Sequence, residues 1–153
     1  MHTNYIRQWT TFYTPHHIRI EKDYNGNMEG TNSAGLILLT YKGKILLMHK
    51  QKSVIDEEIH PWCLIGGVRK NQESFEHALS RSVEKETGVK IKNVELLSKF
   101  CYHAALTDDN VNNIKRSENQ LLDFFNPKEL NKLLLSETTR EFIYNNTAFI
   151  PVL

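Results

Sequence analysis

The sequence predicts an α/β sandwich, and three observations carry the prediction. Residues 33–41 (SAGLILLTY) and 45–50 (ILLMHK) are near-continuous apolar runs of strand length. Strands that are apolar on both faces belong at the centre of a covered sheet. Phe75, Leu79 and Val83 recur every four residues, which is a helical period. The order along the chain is strands, this helix, further strands and a C-terminal helical pair, and such an order packs helices over a sheet.

A chain of 153 residues is the size of one domain. It can bury roughly 70% of its unfolded surface, enough for a core without staples. We read residues 1–32 as an N-terminal arm or short strands packed on the core, and 33–153 as the domain proper. With 40% hydrophobic and 24% charged residues the composition is that of an ordinary globule. A formal net charge of +1 advertises no polyanion, and nothing points to a nucleic-acid polymer. Cys63 and Cys101 lie in apolar settings without zinc spacing, and read as reduced, buried thiols. Neither a signal peptide nor the roughly 20 apolar residues of a membrane helix is seen. The expectation is a cytoplasmic protein with no membrane partner.

In the arm, Trp9, Phe12, Tyr13, Ile18 and Ile20 suit one or two short strands, and 23–27 (DYNGN) is a turn by composition. His16 and His17 are adjacent, so their side chains rarely face one point, and no metal site is read there. Lys42-Gly43 is a hairpin turn between the two apolar runs. Residues 51–60 form a polar loop with Asp56, Glu57 and Glu58, and Pro61 to Gly67 restart order. Glu73 and Glu76 sit where a helix N-terminus favours negative charge, and Gly88 where a left-handed cap ends it. Residues 94–103 read as one strand, 108–113 as a polar loop and 120–125 as a strand. Asn126, Pro127 and Glu129 form a helix-start pattern, with Leu130, Leu133 and Leu134 as its apolar side. A last helix starts after Ser136 and carries Phe142 and Ile143.

Residues 66–89 (GGVRKNQESFEHALSRSVEKETGV) resemble the signature of the Nudix hydrolases, G-x5-E-x7-R-E-U-x-E-E-x-G-U with U apolar. Gly67, Glu73, Arg81, Val83, Glu86, Gly88 and Val89 match it. Ser82 and Lys85 stand where it has glutamates, so the box is degenerate. Upstream, Trp62-Cys63-Leu64-Ile65-Gly66-Gly67 is similar to the family's W-x-L-P-G-G, with Ile65 for the proline. The likeness spans about residues 33–146 and implies the Nudix fold, a mixed sheet between helices.

The resemblance also implies a chemistry. Nudix enzymes hydrolyse a nucleoside diphosphate linked to another group, with magnesium or manganese held by glutamates of the signature helix. Catalysis then falls to Glu86, Glu73 and Arg81, with Glu86 and Glu73 as metal ligands. Substrate binding falls to Gly66, Gly67, Arg69, Lys70, Lys85, Trp62 and Phe124, the last two by stacking on a nucleotide. On a helical wheel Glu86, Ser82 and Lys85 fall near −20°, −60° and −120° from Leu79, one edge of the helix. Glu84 falls near 140°, so it does not replace the missing carboxylate. Further ligands would come from loops, with Glu57, Glu58, Asp108, Asp109 and Glu118 as candidates. Lys85 and Lys70 turn two acidic family positions basic, which weakens metal binding and favours anions. Three readings follow: a divergent hydrolase, a Nudix-fold protein that binds a nucleotide or phosphorylated metabolite without turnover, and an interaction module. Homodimers are common among such proteins, and one is allowed for here.

Overall fold

The computed structural model describes residues 10–13, 19–22, 34–50, 61–116 and 120–150. Strands β1 (Thr10–Tyr13) and β2 (Arg19–Lys22) pair antiparallel as a two-stranded sheet of their own. Among the described residues the main sheet has six strands: β3 (Ala34–Tyr41), β4 (Lys44–Lys50), β5 (Ile65–Val68), β6 (Glu95–Ser98), β7 (Cys101–Ala105) and β8 (Gln120–Phe125). Its order is β6-β7-β3-β4-β8, with β5 paired to β3. β3 runs parallel to β7 and antiparallel to β4 and β5, so the sheet is mixed as expected.

The two apolar runs are the central hairpin. Lys42 and Gly43 both take positive φ, 47° and 78°, the backbone of a tight two-residue hairpin turn. β4 pairs with β3 only at Thr40–Ile45 and Tyr41–Lys44, then moves over to β8. β5 fills the space this leaves beside the first half of β3, from Ala34–Val68 to Ile37–Ile65. Paired bonds between Met48 and Cys63, 2.8 and 2.9 Å, tie the end of β4 to the chain entering β5.

Alternate residues of β3 and β4 point to opposite faces, and each face has its own core. On one face Ile37, Leu39, Leu46, Met48, Ile65 and Leu122 meet Leu79 and Val83 of α1 (Phe75–Thr87). On the other, Leu38, Ile45, Leu47 and Leu64 meet Leu130, Leu135, Phe142 and Ile143 from the C-terminal segment. Leu79 and Val83 are fully buried, and the sheet lies between helical layers. A buried leucine of this kind contributes about 2 kcal/mol.

The structure corrects four local expectations. Residues 94–103 are two strands, because Phe100 turns the chain at φ 63° into an antiparallel return. Residues 108–113 contain a short helix, α2 (Asp108–Asn112), whose capping residue Thr107 accepts from Asn110 N–H while Asn110 Oδ1 accepts from Thr107 N–H. The element after Asn126 is a 3-10 turn, Pro127–Lys132, so the C-terminal pair is this turn plus α3 (Glu137–Asn145). Within it Asn126 N–H donates to Glu129 as the pattern requires. Leu130 is buried, but Leu134 is exposed. Residues 51–60, His16, His17, Glu57, Glu58 and Glu118 lie outside the described residues.

Candidate functional site

The candidate site is built from β5, the loop after it and α1. Gly67 is where strand and helix come closest. A Cβ there would lie 2.7 Å from Ser82 Oγ and 3.0 Å from the Ala78 carbonyl oxygen. Gly67 is therefore required by space, and its neighbour Gly66 is buried beside it.

The loop closes on itself. Asn71 at φ 51° turns the chain so that Glu73 N–H donates to the Lys70 carbonyl at 2.9 Å. In return Lys70 N–H donates to Glu73 Oε2 at 3.0 Å. Ser74 then caps α1 by accepting from His77 N–H, and Gly88 ends it at φ 75°. Glu73 thus precedes the helix.

Arg81 clasps this loop to β5. One guanidinium nitrogen contacts Glu73 Oε1, and the other donates to the Val68 carbonyl at 3.0 Å. The Arg81 hydrogen bond, the Lys70 N–H and the nearby positive charge hold the Glu73 carboxyl down at about 2. Glu73 is an ionised clasp whose two oxygens already have donors.

The helix edge named from the wheel is present but chemically mixed. Ser82 is buried under the strand, 8% exposed, and Lys85 is exposed on the last turn. Glu86 is half-buried, and its Oε2 accepts from Gln120 Nε2 at 2.7 Å. Cys63 lies close by: burial first, then the charge of Glu86, push its thiol up to about 12. Arg69 lies 4.8 Å over the Phe75 ring, and Lys70 is exposed.

The two aromatic candidates are not brought together. Phe124 packs on the α1 face, with Tyr41 5.8 Å away. Trp62 packs on the α3 face, 4.8 Å from both His49 and Phe125. A single base cannot stack on both rings across the sheet. Asp108 is also apart from Glu86: it accepts from Tyr41 Oη at 2.6 Å and pairs with Lys42 at 3.3 Å.

The ion that the resemblance implies is magnesium or manganese. Magnesium and manganese need several oxygen ligands around one point. Among the described residues, no three histidine, cysteine, aspartate or glutamate side chains gather so. Glu73 is turned to Arg81 and Lys70, and Glu86 to Gln120, so the two proposed ligands have different partners. The described residues do not fit the ion.

Gln120 is the residue that sequence reasoning missed. The two-residue period of β8 sets Gln120, Leu122 and Phe124 on one face, but only the register of β8 against β4 shows that this face meets α1.

The Nudix-domain family model matches residues 30–145 of the chain. Solved structures share the fold. A MutT Nudix hydrolase from Burkholderia pseudomallei is 20% identical with a TM-score of 0.56, over 76% of this chain and 98% of that one. A Nudix-family hydrolase from Clostridium perfringens is 14% identical with a TM-score of 0.57, over 80% and 99%. The Nudix domain of Shewanella oneidensis NrtR, solved with ADP-ribose, is 14% identical with a TM-score of 0.56, over 80% and 90%. No curated protein matches the chain.

Proposed function

The chain belongs to the Nudix family, and from that premise we propose that it is a divergent Nudix hydrolase. Its substrate class is a nucleoside diphosphate linked to another group, cleaved at the pyrophosphate bond. The observation that supports this is the loop–helix unit itself. Glu73, Arg81 and the Val68 carbonyl are locked together, and this holds the Gly66-Gly67 strand against the helix that carries Glu86. Arg69, Lys70 and Lys85 then serve as cations for the phosphates, Lys as a point charge. Phe124, which shares a sheet face with α1, is the better placed aromatic for the nucleoside. The Shewanella neighbour's ADP-ribose supports the same ligand class.

Nudix enzymes generally use divalent metal ions. For this chain we carry magnesium or manganese as a weakly held cofactor. Glu86 would supply one oxygen, and others would have to come from acids such as Glu57, Glu58 or Glu118. We keep residues 1–32 as an added arm on a domain of 33–153. No helix among the described residues is long and apolar enough to cross a membrane, and we retain a cytoplasmic location and a homodimer as parts of the proposal.

A second reading, ligand binding without turnover, is favoured by one observation. Buried Ser82 and exposed Lys85 occupy two positions where the signature has carboxylates. One experiment separates the readings: manganese- or magnesium-dependent hydrolysis across nucleoside triphosphates, nucleotide sugars, dinucleoside polyphosphates and ADP-ribose, with Glu86→Gln beside the wild type. Turnover lost in Glu86→Gln supports the enzyme. ADP-ribose binding with no turnover of any substrate supports the second reading.

A further inference from the structure

Gln120 opens β8 on the same face as Leu122 and Phe124. Its Nε2 donates to Glu86 Oε2 at 2.7 Å and also contacts Met48 Sδ. A carboxylate and a thioether can only accept. The atom that meets the Glu86 carboxylate is therefore the amide nitrogen. A flipped amide would set its carbonyl oxygen against the Glu86 carboxylate, so the chemistry of that neighbour fixes the amide's orientation.

A divalent ion asks the opposite of this position. It needs oxygen lone pairs turned inward, and Gln120 presents hydrogens. To ligate an ion through Oε2, Glu86 would have to give up a charge-assisted hydrogen bond. For Gln120 to join as a ligand, its amide would have to turn and give up the bond to Glu86.

We infer that Gln120 stands in for a cation toward Glu86: it positions the carboxylate as a hydrogen-bond acceptor and lowers the chain's affinity for divalent metal. The inference rests on the reading of Glu86 as part of the ligand site. Gln120 acts through Glu86, so it is a positioning residue.

The test is a manganese titration of the full chain, followed by calorimetry and by the electron paramagnetic resonance signal of free Mn²⁺. Wild type is compared with Gln120→Ala, Gln120→Leu and Gln120→Ala/Glu86→Gln. Gln120→Leu keeps most of the side-chain volume, which guards against a packing artefact, and urea unfolding checks each variant. With the competing donor removed, both single variants bind Mn²⁺ about tenfold more tightly than wild type, and the gain vanishes when Glu86 is also replaced. Mn²⁺ affinity in both folded variants that is equal to wild type, weaker, or undetectable throughout overturns the inference, as does a gain that survives loss of Glu86. A metal-free titration with ADP-ribose is run alongside. If no variant binds ADP-ribose while the Mn²⁺ results hold, the ligand reading fails and the role of Gln120 stands.

Discussion

Replacing Gly67 by alanine tests how closely the signature helix is set against β5. The added Cβ would meet Ser82 Oγ at 2.7 Å and the Ala78 carbonyl oxygen at 3.0 Å, where ordinary contact begins at 3.4 Å. Ser82 is 8% exposed and can relieve its own contact by changing rotamer. The Ala78 oxygen is helix backbone and moves only if α1 moves. Overpacking of this kind costs about 2 kcal/mol. For a chain of this size that lowers Tm by roughly 4–8 °C. The assay is calorimetric unfolding of Gly67→Ala beside Gly67→Ala/Ser82→Ala. The double variant removes only the 2.7 Å contact that Ser82 can already relieve and keeps the 3.0 Å one to the backbone, so it should recover little of the loss. A Gly67→Ala protein melting within about 1 °C of wild type would refute the close packing of strand and helix.

Other predictions follow from single contacts. Glu73 has its carboxyl lowered from 4.5 to about 2. Its stabilising effect is therefore complete above 4.5 and is lost as the pH falls from there toward 2. Urea unfolding across that range should show the deficit of Glu73→Gln shrinking as acid is added, whereas a constant deficit would contradict the clasp. Thr40 Oγ1 lies 2.7 Å from His103 Nε2, and His103 Nδ1 lies 2.8 Å from Glu95. Thr40→Val should cost about 1 kcal/mol in chemical denaturation, because the imidazole loses a partner. Cys63, with its thiol pushed up to about 12, should react with a disulfide reagent more slowly than Cys101 in the native protein. Both thiols should react at once in urea, and peptide mapping after timed labelling reads the difference. Leu79, fully buried, should cost about 3 kcal/mol as alanine, read by the same unfolding assay.

The central hairpin, the signature helix and its glycine stop were all legible, because each rests on local chemistry. Lys42-Gly43 turns as a hairpin pair should, and the spacing of Phe75, Leu79 and Val83 falls on the helix face toward the sheet. What was missed needed either a rare backbone or a register. Phe100 takes positive φ, which a bulky residue seldom does and which no local pattern announces. α2 buries no residue, so it had no apolar period to read, although Thr107 and Asn110 are its cap. Trp62 and Phe124 looked like equivalent stacking candidates until the strands placed them on opposite faces. Gln120 meets Glu86 from 34 residues away in sequence, and only the folded sheet joins them.

The most direct test of the central claim is a restoration experiment. Ser82→Glu/Lys85→Glu returns two carboxylates to the helix edge beside Glu86, and hydrolysis of ADP-ribose and nucleotide sugars is followed as a function of Mn²⁺ concentration. A divergent hydrolase with a weakened metal site predicts slow wild-type turnover at high Mn²⁺. It also predicts at least tenfold faster turnover in the double variant at low Mn²⁺, with both activities abolished by Glu86→Gln. A folded double variant that is no faster than wild type, or wild-type turnover that survives Glu86→Gln, would contradict it.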